Sequence, residues 1–152
     1  MNKEINSITL KRALISDADK ILALQKRAFK PEADLYNNYS IPALIQTLNE
    51  MKEDIKTKRV IKAEIDNEII GSVRAYQING TCFIGMLIVH PAYQNKGIGS
   101  KLLNTIELEF GHVTRYELFT GYKSQKNIKL YEKLGYLYFK KDEYLVYMEK
   151  TN

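Results

Sequence analysis

Seven residues, Gln94-Asn95-Lys96-Gly97-Ile98-Gly99-Ser100, stand between two segments of different hydrophobic period. Before them, Cys82-Phe83-Ile84-Gly85-Met86-Leu87-Ile88-Val89 has the length and β-branched content of a buried strand. After them, Ile98, Leu102, Leu103, Ile106 and Phe110 recur at the three- and four-residue spacings of an amphipathic helix. The glycines therefore fall where a strand hands over to the first turn of a helix. There the backbone N–H groups lack partners and the helix dipole favours an anion. Glycine lets the backbone approach a ligand closely, and Lys96 adds a positive charge. This is the chemistry of a pyrophosphate cradle built from the main-chain amides of residues 94–100. The plainer alternative is that the glycines only permit a tight turn.

A second pair stands further on. Asn127 and Tyr131 are four residues apart, so on a helix both project from one face and can reach one ligand. Here the plainer alternative is that Tyr131, between Leu130 and Leu134, belongs to the packing face with its hydroxyl satisfied by backbone. Cys82, the single cysteine, lies in an apolar strand with no base beside it in sequence, which suits packing rather than nucleophilic chemistry. A lone cysteine cannot form an internal disulfide, and this fits a reducing cytosol.

The elements that must position these residues follow from patterning. A first strand is expected from Ile5 to Ala13. A helix capped by Ser16 follows, carrying Ile21, Leu22, Leu24, Ala28 and Phe29 and ending near Pro31. A second helix is expected from Ile41-Pro42 through Ile45, Leu48, Met51 and Ile55. Strands at 60–65, 68–78 and 81–89 turn at Asp66-Asn67 and Asn79-Gly80, the latter a strong hairpin signal. Beyond the helix after the glycines, a strand at 116–120 must run roughly parallel to 81–89 if the crossover is right-handed. A short helix at 125–134, with Ser124 as cap and Gly135 as its C′ glycine, precedes strands at 136–140 and 144–149. At 152 residues, with 45% hydrophobic and 27% charged residues, the chain is expected to be a single domain over 1–152. No apolar stretch approaches a membrane span, no signal-peptide core is present, and the expectation is a cytoplasmic protein with no membrane partner. The net charge of +5 comes from scattered lysines, which speaks against a nucleic-acid partner.

The run Val89-His90-Pro91-Ala92-Tyr93-Gln94-Asn95-Lys96-Gly97-Ile98-Gly99 resembles the acetyl-CoA motif of the GNAT superfamily of N-acetyltransferases, with Gln94, Gly97 and Gly99 in its marked places. The dinucleotide fingerprint fails, because its third glycine would fall on Leu102. The run from Leu118 to Tyr136 is similar to the second GNAT motif, with Asn127 and Tyr131 in place. The element order matches as well. The resemblance implies an α/β fold: a mixed, mostly antiparallel sheet with a parallel, splayed pair at the cofactor site and helices on both faces. It implies acetyl-CoA as co-substrate, no metal, and transfer of the acetyl group to a primary amine of a small molecule or a protein. It places main-chain contacts at Leu87 and Val89, coenzyme A contacts at Gln94, Asn95, Lys96, Gly97, Gly99, Ser100 and Asn127, and the general acid at Tyr131, read as a phenol of ordinary pKa.

The sequence departs from the family at the strand before the glycines, where many members carry a Glu that acts as base. Residues 81–89 include no carboxylate. His90, Glu68, Glu117, Tyr36 and Tyr39 are alternatives, none favoured, and transfer through water is another. The departure motivates a second reading, a non-catalytic coenzyme-A-binding sensor or scaffold. The acceptor side is expected around Tyr36, Tyr39, Tyr144 and Tyr147. A homodimer is possible in proteins of this type.

Overall fold

The computed structural model describes residues 7–152. Its centre is a seven-stranded sheet in the order β1-β2-β3-β4-β5-β7-β6, built from β1 (Thr9–Arg12), β2 (Arg59–Ile65), β3 (Glu68–Ile78), β4 (Thr81–Val89), β5 (Arg115–Gly121), β6 (Leu137–Lys141) and β7 (Leu145–Thr151). Every neighbouring pair is antiparallel except β4 with β5. The strand expected from Ile5 begins at Thr9, and Ile5 and Asn6 lie outside the described residues. The β2–β3 and β3–β4 hairpins each turn on two left-handed residues. Asp66 and Asn67 join β2 to β3, and Asn79 and Gly80 join β3 to β4, all of types that tolerate that conformation.

Alternation along the strands divides the core. Ile61, Ala63, Ile70, Val73 and Ile84 pack with Ile98, Leu102, Leu103 and Ile106 of α4 (Ile98–Glu109) on one face. Their neighbours Val60, Ile69 and Ile88 pack with α1 (Ala18–Tyr36) and α3 (Leu48–Thr57) on the other. Helices thus cover both faces, as expected. The fifth helix, α5 (Gln125–Lys133), joins the α4 side through the buried Tyr131.

Three helix boundaries differ from the sequence reading. Ser16 does not cap α1 but lies in a short 3-10 turn (Ile15–Asp17), with Asp17 at the N-cap position. The first helix does not stop at Pro31 but continues to Tyr36, ending at Asn37 in the left-handed region. A proline inside a helix costs about 3 kcal/mol. The extension offsets this by burying Ala33 and by two ties to the β5–α5 connection. The Ser124 hydroxyl donates to Glu32 at 2.5 Å, and the Lys123 amide donates to the Tyr36 hydroxyl at 2.8 Å. The second expected helix is two, α2 (Pro42–Ile45) and α3. Thr47 and Glu50 form a reciprocal capping box that starts α3 afresh.

The break between α2 and α3 is fixed by a buried network. Arg74 of β3, 5% exposed, donates to Asp54 at 2.6 Å and to Gln25, while Gln46 donates to Asp54 at 2.7 Å and accepts from Gln25 at 2.8 Å. Arg74 Nε is buried without a partner among the described residues. Burial pushes the Asp54 carboxyl up, but the Gln46 hydrogen bond and the charges of Arg74 and Lys58 outweigh it and hold the pKa below the usual range. At Arg74 burial wins, lowering its pKa against the pull of Asp54. Asp54→Asn strands a buried guanidinium, for which a loss of about 3 kcal/mol is expected in a denaturant titration. Because the folded pKa of Asp54 is depressed, its contribution is complete above the ordinary value of 3.8 and is lost as pH falls through the folded value. The Asn variant therefore shows a weaker acid dependence of stability, the gap to the parent closing at low pH.

Candidate active site

The parallel pairing of β4 with β5 spans only Thr81↔Arg115, Cys82↔Tyr116 and Phe83↔Glu117. Beyond Phe83 the two strands keep their outer partners, β4 with β3 as far as Val89 and β5 with β7 as far as Gly121. The inner edge of β4 is thus left without a strand partner. A bulge lies in the same stretch. Register slips between Ser72↔Ile88 and Arg74↔Gly85, and Met86 there has φ 51°, a conformation rare for its type. Leu87 and Val89 lie on this open stretch. The Val89 carbonyl accepts from the Gln94 side chain at 3.1 Å.

The turn after β4 leads directly to α4. His90 caps a short 3-10 turn at 91–93, its Nδ1 accepting from the Ala92 amide at 3.0 Å, and its Nε2 lies 3.2 Å from Arg27. Asn95 (φ 63°) and Gly97 (φ 82°) take the left-handed conformation that turns the chain into the helix. No side chain of the described residues caps α4. The amides of Ile98, Gly99 and Ser100 find no acceptor among the described residues, the first bond in this turn being Lys101 N–H to the Gly97 carbonyl at 3.1 Å. Three unpaired donors therefore stand together at a positive dipole end, beside the exposed Lys96.

The two glycines differ. Gly97 has a backbone reason for its type, its positive φ. Gly99 has none: a Cβ there would meet only ordinary contacts, at 3.5 Å from Leu130, 3.9 Å from Leu87 and 4.0 Å from Val89. That Cβ would enter the wedge between the open end of β4 and α5, so the backbone is kept bare on the side where a ligand would pass. The turn and α5 are also tied directly, since Lys126 donates to Gln94 at 3.2 Å.

On α5, Ser124, Asn127 and Tyr131 lie along one face. Asn127 donates to the Thr120 hydroxyl at 3.3 Å. Ser124 stands at the N-cap position expected for it but makes no cap hydrogen bond; its hydroxyl goes to Glu32 instead. The helix closes in a Schellman motif: Tyr136 N–H donates to the Tyr131 carbonyl at 2.9 Å and Gly135 N–H to that of Glu132 at 3.0 Å. The Tyr131 and Tyr136 rings meet at 6.1 Å, and the Tyr136 hydroxyl is anchored on Glu107 of α4 at 2.7 Å. Tyr131 is thus a core residue in its ring, while its hydroxyl makes no hydrogen bond to any described residue. Its phenol is not of ordinary pKa: burial, and then the negative charge of Glu32, push it well above 10. Burial, with the Glu107 charge, pushes the Cys82 thiol up to about 12, leaving it inert.

The candidate bases from sequence are occupied or apart. Glu117 pairs with Arg115 at 3.0 Å, the Tyr39 hydroxyl donates to Asp34 at 2.6 Å, and Tyr36 accepts the Lys123 amide. Glu68 opens β3 in register with Ile65. Of the tyrosines expected on the acceptor side, Tyr36 and Tyr144 meet edge to face at 6.3 Å, and Tyr147 is engaged with Asp142 at 2.9 Å. A groove of about 450 Å³ lies beside the bulge, lined by Pro42, Ile45, Glu50, Glu53, Asp54 and Met86 among others. Sequence reasoning missed Glu32, Ser124 as its partner, Thr120 and Lys126. Their partners lie up to 92 residues away, and no local pattern marks them. No helix among the described residues is long and apolar enough to cross a membrane.

Comparison with known proteins agrees with this geometry. Similar folds include the PaiA N-acetyltransferase of Thermoplasma acidophilum in complex with coenzyme A (TM-score 0.86, 19% identity, covering 96% of this chain and 99% of that one). An N-acetyltransferase of Staphylococcus aureus matches at TM-score 0.77 and 18% identity, over 95% of this chain and 98% of that one. The ribosomal-protein-S18-alanine N-acetyltransferase of Escherichia coli matches at TM-score 0.77 and 15% identity, over 95% and 93%. No significant match to a curated protein sequence is found. The sequence profile of the acetyltransferase (GNAT) family matches residues 19–136, well over half of the chain. With the splayed strand pair and the uncapped glycine turn in place, the chain belongs to the acetyltransferase (GNAT) family.

Proposed function

We propose that this chain, as one domain over 1–152, transfers the acetyl group of acetyl-CoA to a primary amine of a small molecule or a protein. The observation that carries the reading is the conjunction of three unpaired amides at the head of α4 with the open edge of β4 next to it. The amides of Ile98, Gly99 and Ser100, together with the turn from Gln94 through Asn95, Lys96 and Gly97, hold the diphosphate. Leu87 and Val89 meet the amide-bearing arm through their peptide groups, taking the place that a neighbouring strand would fill. Asn127 supports the same arm from α5. Tyr131 meets the thioester end as general acid. Glu50 and Glu53, which line the groove beside Met86, suit an acceptor that arrives as an ammonium.

Binding to the folded state alone stabilises it by about 2.7 kcal/mol at a ligand concentration one hundred times Kd. Acetyl-CoA is therefore expected to raise Tm by several degrees, and a panel of primary amines to release free thiol with at least one member. The lack of a carboxylate on β4 favours one other reading, a coenzyme-A-binding module without turnover. Stabilisation by acetyl-CoA with no thiol release from any amine would establish that reading. No stabilisation at all would remove both.

A further inference from the structure

An acceptor that arrives as an ammonium must lose a proton before it can attack, and β4 offers no carboxylate to take it. Glu32 stands in the extension of α1 beyond Pro31, the segment that sequence patterning assigns to no helix. Both of its carboxylate oxygens lie 2.5 Å from the Ser124 hydroxyl, which donates to them. Ser124 is the N-cap residue of α5, and Asn127 and Tyr131 follow at spacings of three and seven, along one helical face. Helical side chains lean toward the helix N-terminus, so Tyr131 covers the turn of Asn127, between its own Cα and the N-cap. The charge of Glu32 is also the one that acts on the Tyr131 phenol.

What sets Glu32 apart is its partner. Among the described residues it forms no ion pair, only the bond from a neutral hydroxyl. Asp34 accepts from Tyr39, Asp54 holds Arg74 and Gln46, and Glu50 accepts the Thr47 amide. Glu53 forms no ion pair among the described residues either, but it stands on α3 and not at the N-cap of α5. A half-buried carboxylate with no cation among the described residues, held at the N-cap of α5 by one hydroxyl, keeps lone pairs for a ligand N–H.

We infer that Glu32 is the general base of the transfer, an assignment that rests on the transferase reading above. Glu32 takes one proton from the acceptor ammonium, and the freed lone pair forms the N–C bond at the thioester carbonyl. As the C–S bond breaks, its electron pair goes to sulfur, which takes the Tyr131 hydroxyl proton. The Tyr131 oxygen takes the second proton from the new amide nitrogen in the same movement. The products are the acetylated amine and free coenzyme A thiol; Tyr131 is regenerated, and Glu32 returns its proton to water.

A structural tie is the competing role, and two substitutions separate it from a base. Glu32→Gln keeps an acceptor for Ser124 and removes the proton acceptor; Ser124→Ala removes the tie and keeps the carboxylate. With the best amine of the panel, Glu32→Gln is expected to lower kcat about 100-fold with KM for acetyl-CoA unchanged, and Ser124→Ala to lower it less than about fivefold. With hydroxylamine, neutral at neutral pH, Glu32→Gln should stay within about threefold of the parent after subtraction of the uncatalysed rate. Two results overturn the inference while leaving the transferase reading intact: Glu32→Gln matching the parent with that amine, or Ser124→Ala losing as much as Glu32→Gln. A parent that binds acetyl-CoA yet acetylates no amine overturns the transferase reading itself, and this inference with it.

Discussion

Tyr131→Phe is expected to lower kcat about 100-fold while leaving Tm and the KM for acetyl-CoA nearly unchanged. The fold supplies the reason for the second half. The ring is held by the Schellman closure of α5 and by Tyr136, whereas the hydroxyl bonds no described residue, so its removal strands no partner. The first half follows from the raised pKa. Burial and the Glu32 charge keep the phenol protonated well past neutrality, so it is always a donor. A thiol has an ordinary pKa of about 8.5, so handing a full proton to sulfur and keeping a buried phenolate would be uphill. Tyr131 can act only if it gains a proton from nitrogen as it gives one to sulfur. A pH–rate profile checks this: no alkaline loss assignable to Tyr131 should occur below about pH 10. A Phe variant retaining a third or more of kcat would show that sulfur departs unaided.

Gly99 gives the second large effect, and its sign is opposite in the free and bound states. A methyl group at this position meets nothing closer than 3.5 Å, and alanine is about 1 kcal/mol better than glycine in a helix. Gly99→Ala should therefore leave the free protein as stable or slightly more stable. In the bound state the same methyl stands in the wedge between β4 and α5. Overpacking by one or a few methyl groups costs about 1–3 kcal/mol, so acetyl-CoA affinity should fall about tenfold in the alanine variant and about 100-fold in Gly99→Val. Thermal melts with and without acetyl-CoA read both halves at once. If the alanine variant binds as tightly as the parent, the wedge is not the ligand path.

Much of this was legible in sequence because it is local. The strand at 81–89, the Asn79-Gly80 hairpin, the glycine turn and Gly135 each follow from a few adjacent residues, and each stands where it was expected. The α2–α3 break had a local signal too, in Thr47 and Glu50, but the apolar period at Ile45, Leu48, Met51 and Ile55 runs across it and hid it. Pro31 misled for a different reason. Its local penalty is real, yet contacts with residues some 90 positions away outweigh it. Those contacts fasten Glu32 to the N-cap of α5, so the residue inferred as base was invisible to any reading by neighbourhood. Tyr131 was singled out by the resemblance to the second GNAT motif and by its spacing from Asn127, but its shifted pKa depends on burial and on Glu32, neither of which a motif reveals.

The crystal structure of the protein with coenzyme A tests the central proposal most directly. Diphosphate oxygens should lie within about 3 Å of the backbone nitrogens of Ile98, Gly99 and Ser100, with the arm running past Gly99 along the open edge of β4. Coenzyme A bound elsewhere, with that turn free of phosphate, would contradict it.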